Sequence, residues 1–168
     1  MNKDPLHGAW STEDSLELFN LGLWSAGFFS VNPAGHVSVR PRRAQGPAID
    51  LYELVADLRS RGHDLPLLIR FSDILRERVL EIQRCFSNAI REYEYPGSYR
   101  AVYPIKVNQQ AHIVEELMRC GRDTHLGLEV GSKPELLVGL ALLDDPEALI
   151  ICNGYKDESY VETALLAQ

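Results

Sequence analysis

Cysteine is scarce in this sequence, and no two cysteines are closely spaced. Cys85, Cys120 and Cys152 are far apart along the chain. Zinc sites and disulfide frameworks use cysteines at short, paired spacings, so neither is predicted. The five histidines also lack the spacing of metal ligands, and no metal ligand is assigned. We therefore expect reduced, mostly buried thiols.

Long apolar runs and an excess of positive charge are also missing. No stretch approaches the ~18 apolar residues of a membrane-spanning helix, and the N-terminus lacks the apolar core of a signal peptide. The chain has 17 basic and 24 acidic residues, for a net charge of −7. An acidic chain is poorly suited to the phosphate backbone of nucleic acids. We expect a cytoplasmic protein without a membrane or nucleic-acid partner.

Residues 1–47 have the pattern of a helix followed by a β-hairpin. Ser11 and Asp14 have the spacing of a capping box, which favours a helix start. Pro and Gly within 32–35 favour a tight turn between two apolar runs. The predicted elements are a helix from Ser11, strands at 23–31 and 36–40, and a linker at 41–47. We predict that 1–47 is a small N-terminal β-rich segment.

Residues 48–168 alternate between amphipathic stretches and short apolar runs, which is typical of βα units. The predicted strands are 65–71, 99–107, 125–130 and 148–152, and the predicted helices are 50–62, 75–93, one ending at Gly121, 132–143 and one from Asp157. Such alternation indicates an α/β fold with a parallel sheet. The pattern alone leaves two folds open, a doubly wound sheet and part of a (β/α)8 barrel.

Lys106 is the first candidate for chemistry, because it follows an apolar run at the end of a predicted strand. Ligands of parallel α/β folds bind at the carboxyl ends of the strands. An amine desolvated by apolar neighbours loses its proton more readily and can form a Schiff base. The alternative is a strand-end lysine that extends into solvent. Pro104 lacks an N–H group, so either the strand bulges there or pairing ends before the lysine.

The end of the third predicted strand supplies the second group of candidates. Glu129 lies in a strand that should be largely buried, so its carboxylate needs a partner. Lys106 is a candidate partner, because neighbouring parallel strands end at the same edge of the sheet. Ser132 and Glu135 have the spacing of a helix cap, which explains them at least as well as a ligand contact does.

Several of these stretches together resemble the biosynthetic arginine decarboxylases. The matching motifs are WSTEDSLELFNLGLWSAGFFSVNPAGHVSVRP, LPLLIRFSDIL, YRAVYPIKVNQQ, LGLEVGSKPEL and LIICNGYKD. The resemblance implies a pyridoxal-phosphate enzyme of the alanine-racemase-like class, with a (β/α)8 barrel, a β-rich domain and an active site shared across a homodimer. It implies that 1–47 belongs to the β-rich domain and that 48–168 is the first half of the barrel, with about four βα units.

The same resemblance implies roles for individual residues. Lys106 would hold pyridoxal 5'-phosphate as a Schiff base, and Glu129, Ser132 and Glu135 would lie at the cofactor. The reaction would convert L-arginine to agmatine and carbon dioxide, which leads into polyamine and spermidine biosynthesis. A requirement for Mg²⁺ is implied by the resemblance alone. Residues for the cofactor's phosphate, its pyridine nitrogen and the guanidinium group would come from later barrel strands.

Two alternative functions remain open at this point. One is decarboxylation of another basic amino acid, such as ornithine, lysine or diaminopimelate. The other is a pyridoxal-phosphate-binding module without catalysis. The motif YPIKVNQQ and the long N-terminal extension favour arginine. Four βα units could close a small doubly wound domain, so the count alone does not reveal a truncation. The resemblance to a barrel enzyme implies an N-terminal fragment, which we expect to be inactive alone.

Overall fold

The computed structural model describes residues 9–168. They form two compact units that divide after Ile74. The first residues of the predicted 1–47 segment, including His7, lie outside the described part of the chain. The three cysteines are free, but only Cys120 is buried. The expectation of mostly buried thiols is therefore wrong, because Cys85 lies on an exposed part of a helix surface.

The first unit contains a short antiparallel sheet and three helices. Its elements are α1 (Thr12–Leu18), α2 (Leu21–Trp24), β1 (Phe29–Val31), β2 (Val37–Val39), β3 (Ile49–Asp50) and α3 (Leu51–Ser60). The strand order is β1-β2-β3, and both pairings are antiparallel. The predicted capping box of Ser11 and Asp14 is present at the start of α1. A small β-rich segment near the N-terminus is thus present among the described residues.

The hairpin between β1 and β2 follows the predicted turn. The N–H of Gly35 donates to the carbonyl of Asn32 at 2.9 Å, which closes the turn. Gly35 has a φ of +82°, a left-handed conformation that glycine adopts without steric cost. Strand β3 was not predicted. It is two residues long and directly precedes α3, so in the sequence it is part of the pattern that predicts the start of a helix.

The predicted strand at 23–31 is wrong over most of its length. Residues up to Trp24 belong to α2, and only Phe29–Val31 pairs in the sheet. Ala26 and Gly27 have φ values of +49° and +82°. These left-handed conformations cannot continue an extended strand, so the chain bends sharply before β1.

The predicted strand at 65–71 is also absent. The chain there has no ladder partner and bends at Leu65 and Pro66, and Leu65 and Leu68 are 60% and 77% exposed. A strand is stabilised by hydrogen bonds to its neighbour, which an apolar run cannot supply by itself. The described residues therefore contain three parallel strands, each followed by a helix, where four were predicted.

The predicted division at residue 47 stays a prediction. In the structure, β3 pairs with β2, and α3 contacts β2 as well. Both elements therefore lie with the first unit, which continues to Ile74.

The second unit is an α/β layer built on a parallel sheet. Its elements are most of α4 (Ser72–Glu92), β4 (Val102–Pro104), α5 (Ala111–Gly121), β5 (Gly127–Val130), α6 (Lys133–Leu142), β6 (Ile150–Cys152) and α7 (Glu158–Leu166). The strand order is β4-β5-β6, and both pairings are parallel. The predicted α/β fold with a parallel sheet is confirmed.

Strand β5 lies at the centre of this sheet and of the hydrophobic core. Leu128 and Val130 are fully buried, and they pack with Ile105, Val114 and Tyr160. Burial of a leucine of this size contributes roughly 2 kcal/mol. A second cluster of Ile113, Leu117 and Leu126 packs beside it. The near-continuous burial of β5 is typical of a central parallel strand.

Gly127 at the start of β5 provides a test of this packing. A Cβ atom at this position would overlap the backbone carbonyl of Leu149, which cannot move without breaking the β5–β6 ladder. We expect Gly127→Ala to lower the free energy of unfolding by about 1–3 kcal/mol, as measured by urea denaturation. Gly22→Ala is the control, because no atom lies within 4 Å of its added Cβ. Equal stability of the two variants would contradict the close approach of β5 and β6.

Candidate functional site

Lys106 lies in a single 3₁₀ turn directly after β4. The strand pairs without interruption through Pro104, and the turn spans Ile105–Val107. Of the two possibilities raised by Pro104, the end of regular pairing is therefore confirmed. Ile105 is buried at 2% exposure and anchors the turn to the core. Lys106, the next residue, extends from the carboxyl edge of the sheet.

The amine of Lys106 contacts the carboxylate of Glu129. Pro104 is the register partner of Glu129 across the β4–β5 pair, which brings the two strand ends to the same edge. The Nζ atom of Lys106 lies 3.0 Å from Oε1 of Glu129. The side chain of Glu129 is only 16% exposed, so its charge has the partner that burial requires. The contact expected from the strand ends is present.

The expected desolvation of Lys106 is wrong for the described residues. Its side chain is 59% exposed. Its apolar neighbours do not cover the amine, because Ile105 points into the core and Val107 is itself 70% exposed. The apolar residues of this run therefore form the strand and, through Ile105, attach the turn to the core. They do not surround the amine of Lys106.

Asn153 is a third member of this edge that sequence reasoning missed. It follows β6, and its Nδ2 donates to Oε1 of Glu129 at 2.9 Å. The pKa of Glu129 is lowered, first by this hydrogen bond and then by the one from Lys106. In the sequence, Asn153 and Gly154 have the pattern of a turn, which hides the side-chain contact. The sequence did place Asn153 directly after a predicted parallel strand, and that position indicates a residue at the ligand-binding edge.

Ser132 and Glu135 act as caps at the start of α6. The N–H of Glu135 donates to Oγ of Ser132 at 3.4 Å. The carboxylate of Glu135 accepts from the N–H of Gly131 at 2.7 Å and from Nε2 of Gln109 at 3.3 Å. The capping explanation is thus confirmed for both residues. Their predicted roles at a cofactor stay predictions, and Gln109 is a neighbour that the sequence did not indicate.

A buried tyrosine supports this edge from beneath. Tyr160 on α7 is 2% exposed, and its hydroxyl donates to the carbonyl of Val130 at 3.1 Å. The same carbonyl accepts from the N–H of Asn153 at 2.9 Å. Burial raises the pKa of Tyr160, so the hydroxyl remains a donor. The ends of β5 and β6 are therefore held together by backbone and by side chain.

The donor set suits a ligand that carries an aldehyde. Lys106 offers an accessible primary amine, and Glu129 offers an ionised carboxylate that orients it. The start of α6 is less suited to a phosphate group. Two N–H groups there already bind Ser132 and Glu135, and Pro134 has none.

The described residues contain neither a cluster of metal ligands nor a helix suited to a membrane. Between residues 9 and 168, no group of three or more His, Cys, Asp or Glu side chains is arranged to hold a metal ion. No helix in the same range is long and apolar enough to cross a membrane.

Replacement of Glu129 by glutamine tests the electrostatics of the edge. Because its pKa is lowered in the fold, the ionised carboxylate stabilises the protein fully above the ordinary glutamate pKa of about 4.3. That contribution is lost as the pH falls through the lowered pKa. We expect wild type to have a higher urea midpoint than Glu129→Gln near pH 7, and the two midpoints to converge below about pH 4. A difference that stays constant across this range would contradict the assignment.

Three comparisons with known proteins agree with one another. The family described as pyridoxal-dependent decarboxylase, pyridoxal binding domain, matches residues 79–168. The biosynthetic arginine decarboxylase of Gloeobacter violaceus is 57% identical over 95% of this chain and 25% of its own length. That of Nostoc is 55% identical over 95% of this chain and 23% of its own length.

A solved structure shows the same relationship. The crystal structure of the biosynthetic arginine decarboxylase of Campylobacter jejuni is similar with a TM-score of 0.79 and 34% identity. The match covers 89% of this chain and 24% of that one. The chain thus spans about a quarter of the length of the relatives that it matches. Through its pyridoxal-binding domain, the chain belongs to the pyridoxal-dependent decarboxylase family.

Proposed function

We propose that this chain is part of an enzyme that decarboxylates L-arginine to agmatine with pyridoxal 5'-phosphate. One observation carries the proposal. The accessible amine of Lys106 is paired at 3.0 Å with the carboxylate of Glu129, at the carboxyl edge of a parallel sheet, in a chain of this family. The choice of arginine is supported by relatives named biosynthetic arginine decarboxylase. The observed contacts do not favour ornithine, lysine or diaminopimelate.

Lys106 would hold the cofactor covalently through Nζ. An amine must lose a proton before it attacks a carbonyl carbon. Glu129 orients the amine, since its Oε1 accepts a hydrogen bond from Nζ and its lowered pKa keeps the carboxylate ionised. The proton would pass to solvent, to which the Lys106 side chain is open. Glu135 and Ser132 would lie at the rim of the same site, fixed by Gln109 and by the start of α6.

The cofactor, when bound, supplies an aldehyde for amines and a ring that accepts the electrons released as carbon dioxide leaves. The protein's contribution is to position the reacting groups. Here Lys106, in the turn after β4, provides the amine, and Glu129, on the adjacent strand β5, provides the carboxylate that orients it. Both groups stand at the edge where ligands bind in parallel α/β folds.

We also propose the barrel to which the parallel strands would belong. Strands β4, β5 and β6 would be consecutive strands of a (β/α)8 barrel, since each is parallel to the next and is followed by a helix. Residues for the phosphate and the guanidinium group would come from other barrel strands. The homodimer with a shared site, the Mg²⁺ requirement and the cytoplasmic location stay predictions.

Reductive trapping tests the role of Lys106. The chain is mixed with pyridoxal phosphate, reduced with borohydride and mapped by mass spectrometry. We expect the adduct on Lys106, because its side chain stands at the carboxyl edge of the sheet and is 59% exposed, while that of Lys133 is 44% exposed. Lys106→Arg should lose the adduct, and Lys133→Arg should retain it. An adduct mainly on Lys133 or Lys156 would remove the assignment.

A chimera tests the activity. This chain replaces the matching quarter of the Gloeobacter violaceus arginine decarboxylase, and agmatine formation is measured. We expect an active chimera, and a loss of about a hundredfold or more in the Lys106→Ala version, since the lysine provides both the amine and proton transfer. Lys156→Ala is the matched control. Release of carbon dioxide from ornithine or lysine in preference to arginine would support the alternative substrates.

A further inference from the structure

Asn153 has a fixed backbone but no role in the function proposed above. Its N–H donates to the carbonyl of Val130 at 2.9 Å, which extends the pairing of β5 and β6 one residue beyond the end of β6. Asn153 is therefore held at a fixed position just beyond the carboxyl end of β6. Its side chain is carried by the strand pair and not by a mobile loop.

The amide group of Asn153 has one favourable orientation. Its Oδ1 accepts from the N–H of Gly154 at 2.7 Å, and its Nδ2 donates to Oε1 of Glu129 at 2.9 Å. A half-turn of the amide would place oxygen against a carboxylate and nitrogen against an N–H group. Both hydrogen bonds would be lost, so the donor is directed at Glu129.

Gly154 makes this orientation possible. Its φ is +81°, and an added Cβ would lie 3.1 Å from the carbonyl oxygen of Gly131. A side chain at this position would be both strained and crowded. The turn therefore presents the N–H of Gly154 to Oδ1 of Asn153 through a conformation that suits glycine.

Glu129 needs such support because its side chain has several rotatable bonds. Holding it in one rotamer costs conformational entropy, which each added hydrogen bond offsets. Oε1 accepts from both Asn153 and Lys106. Glu129 is in turn the side-chain partner of Lys106 within the described part of the chain, and Lys106 is 59% exposed. The order of the amine therefore depends on the order of the carboxylate.

We propose that Asn153 is a positioning residue that fixes the Glu129 carboxylate, and through it the amine of Lys106, at the carboxyl edge of the sheet. The relevance to cofactor attachment rests on the function proposed above. The contact of Asn153 with Glu129 is independent of it.

Two variants separate positioning from a role in the turn. Asn153→Asp has the same shape and keeps the acceptor for the N–H of Gly154, but it loses the donor to Glu129. Asn153→Ala loses both. The matched control is Asn32→Asp in the first unit, where Nδ2 of Asn32 donates to Asp50 at 2.7 Å and Oδ1 accepts from the N–H groups of Ala34 and His36. It removes the same kind of contact from a different carboxylate.

The first measurement uses the chain without cofactor. The titration of glutamate carboxyl groups is followed by ¹³C NMR, with Glu129→Gln used to assign the resonance. We expect Asn153→Ala to raise the pKa of Glu129, because it removes the main hydrogen bond that lowers it. Asn153→Asp should raise it further, because the new carboxylate also places a like charge beside Glu129. Asn32→Asp should leave it unchanged. A shift with Asn153→Ala but not with Asn153→Asp, or with neither, would overturn the proposal.

The second measurement is the initial rate at which pyridoxal phosphate becomes trapped on Lys106 by borohydride. Both Asn153 variants should slow it by about threefold to tenfold, the effect of one hydrogen bond, while Asn32→Asp should match wild type. An unchanged rate would overturn the extension from Glu129 to Lys106. A chimera that contains this chain and forms no adduct on Lys106 would reject the proposed function instead, and the NMR titration would still decide the positioning of Glu129.

Discussion

The parallel ladder of β5 with its two neighbours is the constraint on which the candidate site depends. Because β4, β5 and β6 run in one direction and pair in a fixed register, their last residues reach the same edge. A carboxylate on β5, an amine after β4 and an amide after β6 then meet without any long connection. No loop has to fold around a ligand to bring them together. The core beneath, centred on Leu128 and Val130, keeps that register in place.

The second unit was largely predictable from the sequence, because its local patterns and its tertiary structure agree. The apolar run that contains Leu128 and the periodicity of α5 each indicated an element that the structure contains. The contact between Lys106 and Glu129 followed from a general rule about parallel strands and not from any local pattern. Asn153 was missed, since a residue that forms a turn and a side-chain contact shows only the turn in a sequence.

The failures have a common physical cause. At 65–71 the composition suits a strand, but a strand exists only where a second chain segment accepts its hydrogen bonds. At 23–31 two left-handed residues interrupt an apolar run whose composition suits a strand. For Lys106, the neighbours in sequence proved not to be neighbours of the amine. Each error arose where a property of three-dimensional partners was inferred from adjacent residues.

The exposure of Lys106 has a consequence for how the chain would choose its ligand. An amine with more than half of its side chain in solvent is open to any small aldehyde that diffuses past. Access therefore gives no discrimination between a cofactor and a reactive metabolite such as a sugar aldehyde. Selectivity has to come from residence time, because imines form reversibly and only a ligand held by further contacts stays long enough to accumulate. In the function proposed above, the lysine would provide the attachment, and the surrounding protein surface would provide the choice.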